Sequence, residues 1–198
     1  MKTNTKLYAL LVGCMLFSAV NVSQAQVKFG PIVGLNVADV VGDDVNSDGR
    51  VIGAHAGVFV NLGITDNFMI EPQVLFSMKG AKLKGDDLKM NWVEFPIWVR
   101  YEMESGLNFN AGPFLGLLLS GDVGDFDVKD NYKSIDFGLG AGIGYQMGGG
   151  LGFHLNYNAG ISNIGEEFDV QFLGSVKTDA KTSNIKLSVS YMIGGKRD

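Results

Sequence analysis

The chain has one cysteine, Cys14, and it lies inside an apolar run at the very start. Past residue 25 there is no thiol, which excludes disulfides and cysteine metal sites from that part. Basic clusters are missing too. Lys plus Arg number 16 against 21 Asp plus Glu, for a net charge of −5, and an acidic chain of this kind argues against nucleic-acid binding. Beyond residue 25 no stretch approaches the ~20 apolar residues that a membrane helix needs. If this chain crosses a bilayer, it crosses with strands. Glycine, by contrast, is abundant at 28 of 198 residues, without the strict period of a collagen.

The N-terminal segment reads as a secretory signal. Lys2 and Lys6 form a charged start, Leu7 to Val22 an apolar run, and Ser23 and Ala25 the small residues of a cleavage site. The expected organisation is a signal peptide over 1–25, cleaved near Ala25, and one domain over 26–198. Leu11-Val12-Gly13-Cys14 has the look of a lipobox. The apolar run continues through Met15-Leu16-Phe17, however, which puts Cys14 in mid-run rather than at a lipidation site.

The remainder alternates with period two, the mark of strands with one apolar and one polar face. Eight such segments are expected, at about 27–38, 51–63, 67–79, 91–103, 106–119, 134–147, 150–162 and 183–193. The fourth is the clearest: Val93, Phe95, Ile97, Val99 and Tyr101 oppose Trp92, Glu94, Pro96, Trp98, Arg100 and Glu102. Connections alternate as well. Residues 39–50, 80–90, 120–133 and 163–182 are long and polar, whereas 64–66, 104–105 and 148–149 are tight turns. Short turns on one side and long loops on the other predict an all-β, eight-stranded, antiparallel up-and-down transmembrane β-barrel of the bacterial outer membrane, long loops outward. An outward aromatic at the turn end of each strand is then expected, for the interfacial girdle. Phe29, Phe68, Tyr101, Phe109, Tyr145, Phe153 and Tyr191 fall there, and only the second strand, ending in Leu62 and Ile64, lacks one.

Asn91-Trp92-Val93-Glu94-Phe95-Pro96-Ile97-Trp98-Val99-Arg100-Tyr101 resembles a segment of the small porin-like, PorT-like outer-membrane β-barrel proteins. Asn110-Ala111-Gly112-Pro113-Phe114-Leu115-Gly116, Asp136-Phe137-Gly138 with Gly140-Ala141-Gly142, and Asn156-Tyr157 with Gly160-Ile161 fit the same family. The resemblance covers the whole chain after the signal. It implies the barrel and brings no defined activity.

Candidate chemistry follows from the inward parity. Lys28, His55, Glu71, Glu94, Arg100, Glu102, Asp136, His154 and Lys186 share it. An eight-stranded interior is just wide enough for side chains, so such groups must pair. The expected lumen network is Glu71, Glu94, Arg100, Glu102, His154 and Lys186, with Glu71–Arg100 the leading ion pair. Phe59, Trp92, Trp98 and Phe114 share that face, and Gly138, Gly140, Gly142 and Gly144 make room for them. Those glycines do not follow the G-x-G-x-x-G spacing, and no helix follows them. Asp44-x-Asn46-x-Asp48-Gly49 resembles the start of a calcium loop, but its twelfth place is His55 instead of Glu. Asp44, Asn46 and Asp48 are thus weak metal candidates at most, able to bridge a divalent ion to lipopolysaccharide phosphates. His55 and His154 are expected at different depths, and Ser120 and Asp122 at the rim have no histidine beside them, which speaks against a hydrolase.

The expected function is therefore a non-enzymatic integral outer-membrane protein with a filled lumen, structural or surface-interacting through four extracellular loops. The alternatives are a narrow pore for small solutes or ions, and a lipid-modifying or proteolytic enzyme. Expected partners are outer-membrane lipid, lipopolysaccharide and the barrel-assembly machinery, with no nucleic acid and no cofactor.

Overall fold

The computed structural model describes residues 27–42, 49–82, 87–124, 126–165, 167–170, 174–177 and 180–194. The expected signal segment 1–25 and the loop residues Asp44, Asn46 and Asp48 lie outside them. The described strands are β1 (Val27–Val41), β2 (Gly49–Gly63), β3 (Phe68–Lys82), β4 (Asp87–Glu102), β5 (Leu107–Val123), β6 (Phe126–Asp127), β7 (Ile135–Gln146), β8 (Leu151–Gly160), β9 (Glu167–Val170), β10 (Gly174–Lys177) and β11 (Lys181–Tyr191). Eight of them pair antiparallel in the order β4-β3-β2-β1-β11-β8-β7-β5, and β4 pairs with β5. The sheet is thereby closed on itself, and no edge is left open for stray pairing. β6 is a short addition to β5, and β9 with β10 forms a separate hairpin.

Polarity is inverted relative to a water-soluble protein. Val33, Leu35, Val58, Val74, Ile97, Val99, Leu139 and Leu187 are among the many large apolar residues exposed on the outside. Asn36, Glu71, Glu94, Arg100, Asp136 and Lys186 are buried inside. An apolar belt of this extent is stable only against hydrocarbon. All seven predicted girdle aromatics are exposed at the turn end, and the Phe68 and Tyr101 rings touch at a centroid distance of 4.9 Å.

Two of the tight turns are built alike. In Met103–Gly106 and Met147–Gly150 the amide of the final glycine donates to the carbonyl of the methionine, at 2.9 and 3.0 Å. Gly106 and Gly150 have φ of 91° and 94°, a backbone region that side-chain-bearing residues rarely enter. Tight turns of this kind fix the register of the strands they join.

At the opposite end the strands run further than the sequence pattern implied. Residues 80–90 are not a long loop: β3 continues to Lys82 and β4 begins at Asp87. The reason is that the inward parity does not stop at the membrane. Ala81, Leu88 and Met90 are all buried in an apolar cluster, so the hairpin extends above the belt with a core of its own. Residues 120–133 likewise hold the end of β5, β6 and a 3-10 turn at Lys129–Asn131, and 163–182 hold the β9–β10 hairpin.

Ile97 lies in the middle of the β4 belt. Ile97→Arg is expected to lower folding stability in phosphatidylcholine vesicles by about 2–4 kcal/mol, the range for an arginine at the bilayer midplane. Ile97→Leu is expected to be close to neutral. Urea titration of folded against unfolded protein would read both.

Candidate functional site: the polar lumen

Two ion clusters cross the lumen. In the one nearer the loop end, Glu94 on β4 is fully enclosed, at 0 % exposure. Its Oε1 is 2.6 Å from Lys79 Nζ on β3, and its Oε2 accepts a hydrogen bond from Lys186 Nζ on β11. Lys79 Nζ also stands over the rings of Trp92 and Phe114, 5.3 and 5.4 Å from their centroids, where the ring faces attract a cation. Lys79 is absent from the expected network, although its parity with Glu71, Gln73 and Ser77 marks it; placing the strand boundary at residue 79 hid it.

The second cluster sits nearer the turns. Arg100 Nη1 binds Glu71 Oε2 at 2.9 Å, and Nη2 binds Glu102 Oε2 at 2.9 Å. Asn61 Nδ2 and Gln73 Nε2 donate to the two oxygens of Glu71, at 3.1 and 2.9 Å. Gln146 Oε1 accepts from Arg100 Nη2 at 3.4 Å. The six residues expected to form one network are thus divided. Glu71, Arg100 and Glu102 stand together, Glu94 and Lys186 stand apart from them with Lys79, and His154 bonds to Ser190.

The histidines are not isolated. Asn36 Nδ2 donates to the carbonyls of Ala54 and Met78, at 3.2 and 2.8 Å, which leaves Asn36 Oδ1 to accept from His55 Nδ1 at 2.9 Å. His55 Nε2 then accepts from Ser188 Oγ at 2.9 Å. His154 Nε2 shares a 2.9 Å hydrogen bond with Ser190 Oγ, two residues further along β11. The sequence placed the two histidines at different depths. They bond to different serines, two residues apart on one face of β11, and His154 is opposite Ser188 in the β8–β11 register. His55 is therefore inside the barrel and no ligand for the 44–48 loop. Among the described residues no group of three or more His, Cys, Asp or Glu is placed to hold a metal ion.

Bulky rings fill the rest of the lumen by lying against glycines. A Cβ on Gly138 would come within 2.7 Å of the Phe114 ring, and one on Gly140 within 2.7 Å of the Trp98 ring. Gly116 faces Trp92 and Gly30 faces Phe59 in the same way. At the loop end the filling turns apolar. Val40, Ala81, Leu88, Met90, Trp92 and Leu118 from the wall enclose Ile164 and Ala180 from the β8–β11 connection. This plug is pinned by Ile164 N to Ala180 O and Lys133 N to Ile164 O, both 2.8 Å. Asn163 Oδ1 accepts from the amides of Gly165 and Ala180 at 2.9 and 3.0 Å.

Glu94→Gln leaves two buried ammonium groups without a counter-charge. It is expected to destabilise the barrel by about 3–5 kcal/mol, the cost of removing one partner from a buried ion pair. The triple variant Lys79→Met, Glu94→Leu, Lys186→Met is expected to recover most of that loss, since an apolar replacement of the whole set keeps no unpaired charge. Unfolding midpoints in detergent check both.

An enclosed polar interior within an apolar outer belt is the arrangement found in small outer-membrane barrels, and the comparisons with known proteins agree. No curated protein matches the chain. Among solved structures it is similar to Neisserial surface protein A, with a TM-score of 0.58 at 15% identity over 82% of this chain and 96% of that one. It is also similar to Ail, the attachment invasion locus protein of Yersinia pestis, crystallised with the heparin analogue sucrose octasulfate. There the TM-score is 0.54 at 11% identity, over 85% of this chain and 99% of that one. Identities this low speak for the fold alone. The outer membrane protein beta-barrel domain matches residues 21–166, and the chain belongs to that family of integral outer-membrane proteins.

Proposed function

We propose that this protein is a non-enzymatic outer-membrane barrel whose lumen is closed to solutes and whose work is done by the extracellular segments it holds up. The observation that carries this reading is the pair of barriers in series. An apolar plug around Ile164 lies over the Lys79–Glu94–Lys186 bridge, and that bridge ties β3, β4 and β11 together across the interior. A solute would have to displace both. Ser188, His55 and Asn36 have the order of a nucleophile, a base and an orienting group, but all three are buried beneath that plug, where no lipid or peptide reaches them.

The rim favours a particular partner chemistry. Taken together, segments 39–50, 80–90, 120–133 and 163–182 hold 14 Asp plus Glu against 8 Lys plus Arg, although 80–90 by itself is slightly basic, so the rim as a whole repels polysulfated chains of the kind bound by the Yersinia protein. It suits cationic partners, or divalent ions shared with lipopolysaccharide phosphates. Outer-membrane lipid is the partner of the belt, and the barrel-assembly machinery is the partner during insertion.

Purified protein reconstituted into planar bilayers is expected to show no discrete openings. Ile164→Asp is expected to stay silent as well, because the ion bridge below the plug remains. Stepwise conductance in the unmodified protein would overturn the closed-lumen reading and favour a narrow pore.

A further inference from the structure

Among the described residues four carboxylates are buried: Glu71, Glu94, Glu102 and Asp136. Three of them touch a cation. Glu71 and Glu102 hold Arg100, and Glu94 lies between Lys79 and Lys186. Asp136 is the exception. It is at 0 % exposure, and its described side-chain partners are two neutral hydroxyls. Ser162 Oγ donates to Oδ1 and Thr182 Oγ1 donates to Oδ2, both at 2.7 Å. Hydroxyls replace the water of a carboxylate without cancelling its charge, and buried charges are paired or coordinate metals. The positive charge that the Glu94 bridge has to spare stays with Glu94, since neither Lys79 nor Lys186 is within ion-pair distance of Asp136.

Further oxygens stand beside this carboxylate. Asn158 and Asn184, each 1 % exposed, are opposite each other in the β8–β11 register. They occupy the next inward positions below Gly160 and Thr182, two residues along each strand, or about 6.7 Å. Asn158 Oδ1 and Asn184 Oδ1 have no hydrogen bond. Two glycines make room for them. A Cβ on Gly160 would come within 2.6 Å of Thr182 Oγ1 and 3.1 Å of Asp136 Oδ1, and one on Gly140 within 2.8 Å of Asn158 Oδ1. The carboxylate, the threonine hydroxyl and the two carboxamide oxygens thus gather over a glycine floor on β7, β8 and β11. A carboxylate has about four lone-pair sites and a hydroxyl two, so the bonds from Ser162 and Thr182 leave acceptors free.

We propose that this patch binds one alkali-metal cation, sodium or potassium, between Asp136 and the two asparagines. Its donors are oxygens, the ligands that hard cations take. One carboxylate balances one positive charge. A divalent ion would leave a charge over, and among the described residues no group of three acidic or histidine side chains stands ready to hold one. The Nδ2 of Asn158, unbonded as well, suits a water beside the ion. Ser162 is half-buried at the loop end and gives the ion its way in. Ser162 and Thr182 also stand at the two feet of the 163–182 connection. The bound ion therefore fastens the base of that extracellular segment to the barrel wall. The site is independent of whether the lumen conducts.

The test follows urea unfolding of the full chain in detergent at fixed ionic strength, with choline chloride exchanged for sodium or potassium chloride. The folded-to-unfolded ratio is expected to rise about tenfold for each tenfold increase of the ion above its dissociation constant, the response of a single site, and not to rise in choline. Heat-modifiable migration checks that each variant is folded. Asp136→Asn is expected to abolish the response, and Asn158→Ala to displace it to higher concentration. Asp66→Asn, at an exposed turn carboxylate, is expected to leave it intact. Should Asp136→Asn fail to fold, sodium NMR line broadening by the unmodified protein, reversed by potassium and not by choline, reads the site directly. Equal midpoints in all three salts would overturn the proposal and leave Asp136 a protonated acid. A response retained in folded Asp136→Asn, unchanged in Asn158→Ala or lost in Asp66→Asn would overturn it too. A response to calcium alone would overturn the monovalent assignment.

Discussion

Glu94 between Lys79 and Lys186 is the interaction on which the remaining structure depends. A carboxylate with no solvent contact is tolerable only where opposite charge and hydrogen bonds replace its water. Here the two ammonium groups come from β3 and β11, strands on either side of the β2–β1 pair that are brought into one wall by the β1–β11 pairing. The bridge can therefore form only when the sheet has closed. His55 with Ser188 likewise joins β2 to β11 across β1, whereas Asp136 with Thr182 and His154 with Ser190 link strands within the run β7-β8-β11. Closing the barrel and satisfying its most enclosed charge are one event.

Two solvents explain why polarity reverses twice along the axis. Within the belt the outside meets hydrocarbon, so apolar side chains face out, and the polar groups that give the interior its cohesion face in. Above the belt the outside meets water, and the inward positions return to Leu88, Met90, Leu118 and Ile164. Lys79 and Trp92 stand at the boundary. The Lys79 ammonium reaches down to Glu94 while lying over the ring of Trp92, which belongs to the plug. A compact ammonium on a flexible stem suits that position; a planar guanidinium would demand a bidentate partner, which Glu94 cannot offer while it also serves Lys186.

The period-two pattern made the barrel legible because it records which face meets lipid. Strand number, the short turns, the girdle and the lumen rings Phe59, Trp92, Trp98 and Phe114 all follow from parity alone. Strand ends were not legible where both faces lose their contrast. Gly80-Ala81-Lys82 and Asp87-Leu88-Lys89 read as loop because polar residues flank single apolar ones, yet Ala81 and Leu88 are wholly buried. Side-chain partners were legible only for near neighbours. Glu71 and Arg100 lie on adjacent strands, β3 and β4, and one strand boundary away their pairing can be read from direction and depth. Glu94 and Lys186 meet across the lumen, and Ser188 meets both a neighbour of β1 and the stagger of the whole sheet. Such contacts depend on the tilt and shear of the closed barrel, which no single segment encodes.

The glycines show how the interior reaches native density without a conventional core. Each large ring is matched to a glycine, on the next strand for Phe114 with Gly138, Trp92 with Gly116 and Phe59 with Gly30, and one strand further, across β5, for Trp98 with Gly140. Glycine in a strand ordinarily weakens it, through entropy and the missing side chain. Here it vacates the space a ring needs and lets that ring cover the backbone bonds of the wall. The same device explains why polar and aromatic residues alternate down the lumen instead of segregating. Rings lean on β5 and β7, yet Asn108 and Asn110 on β5 and Asp136 and Gln146 on β7 are buried on the same strands. The glycine positions decide where each ring lies, and buried polar side chains from all eight barrel strands fill the space the rings leave.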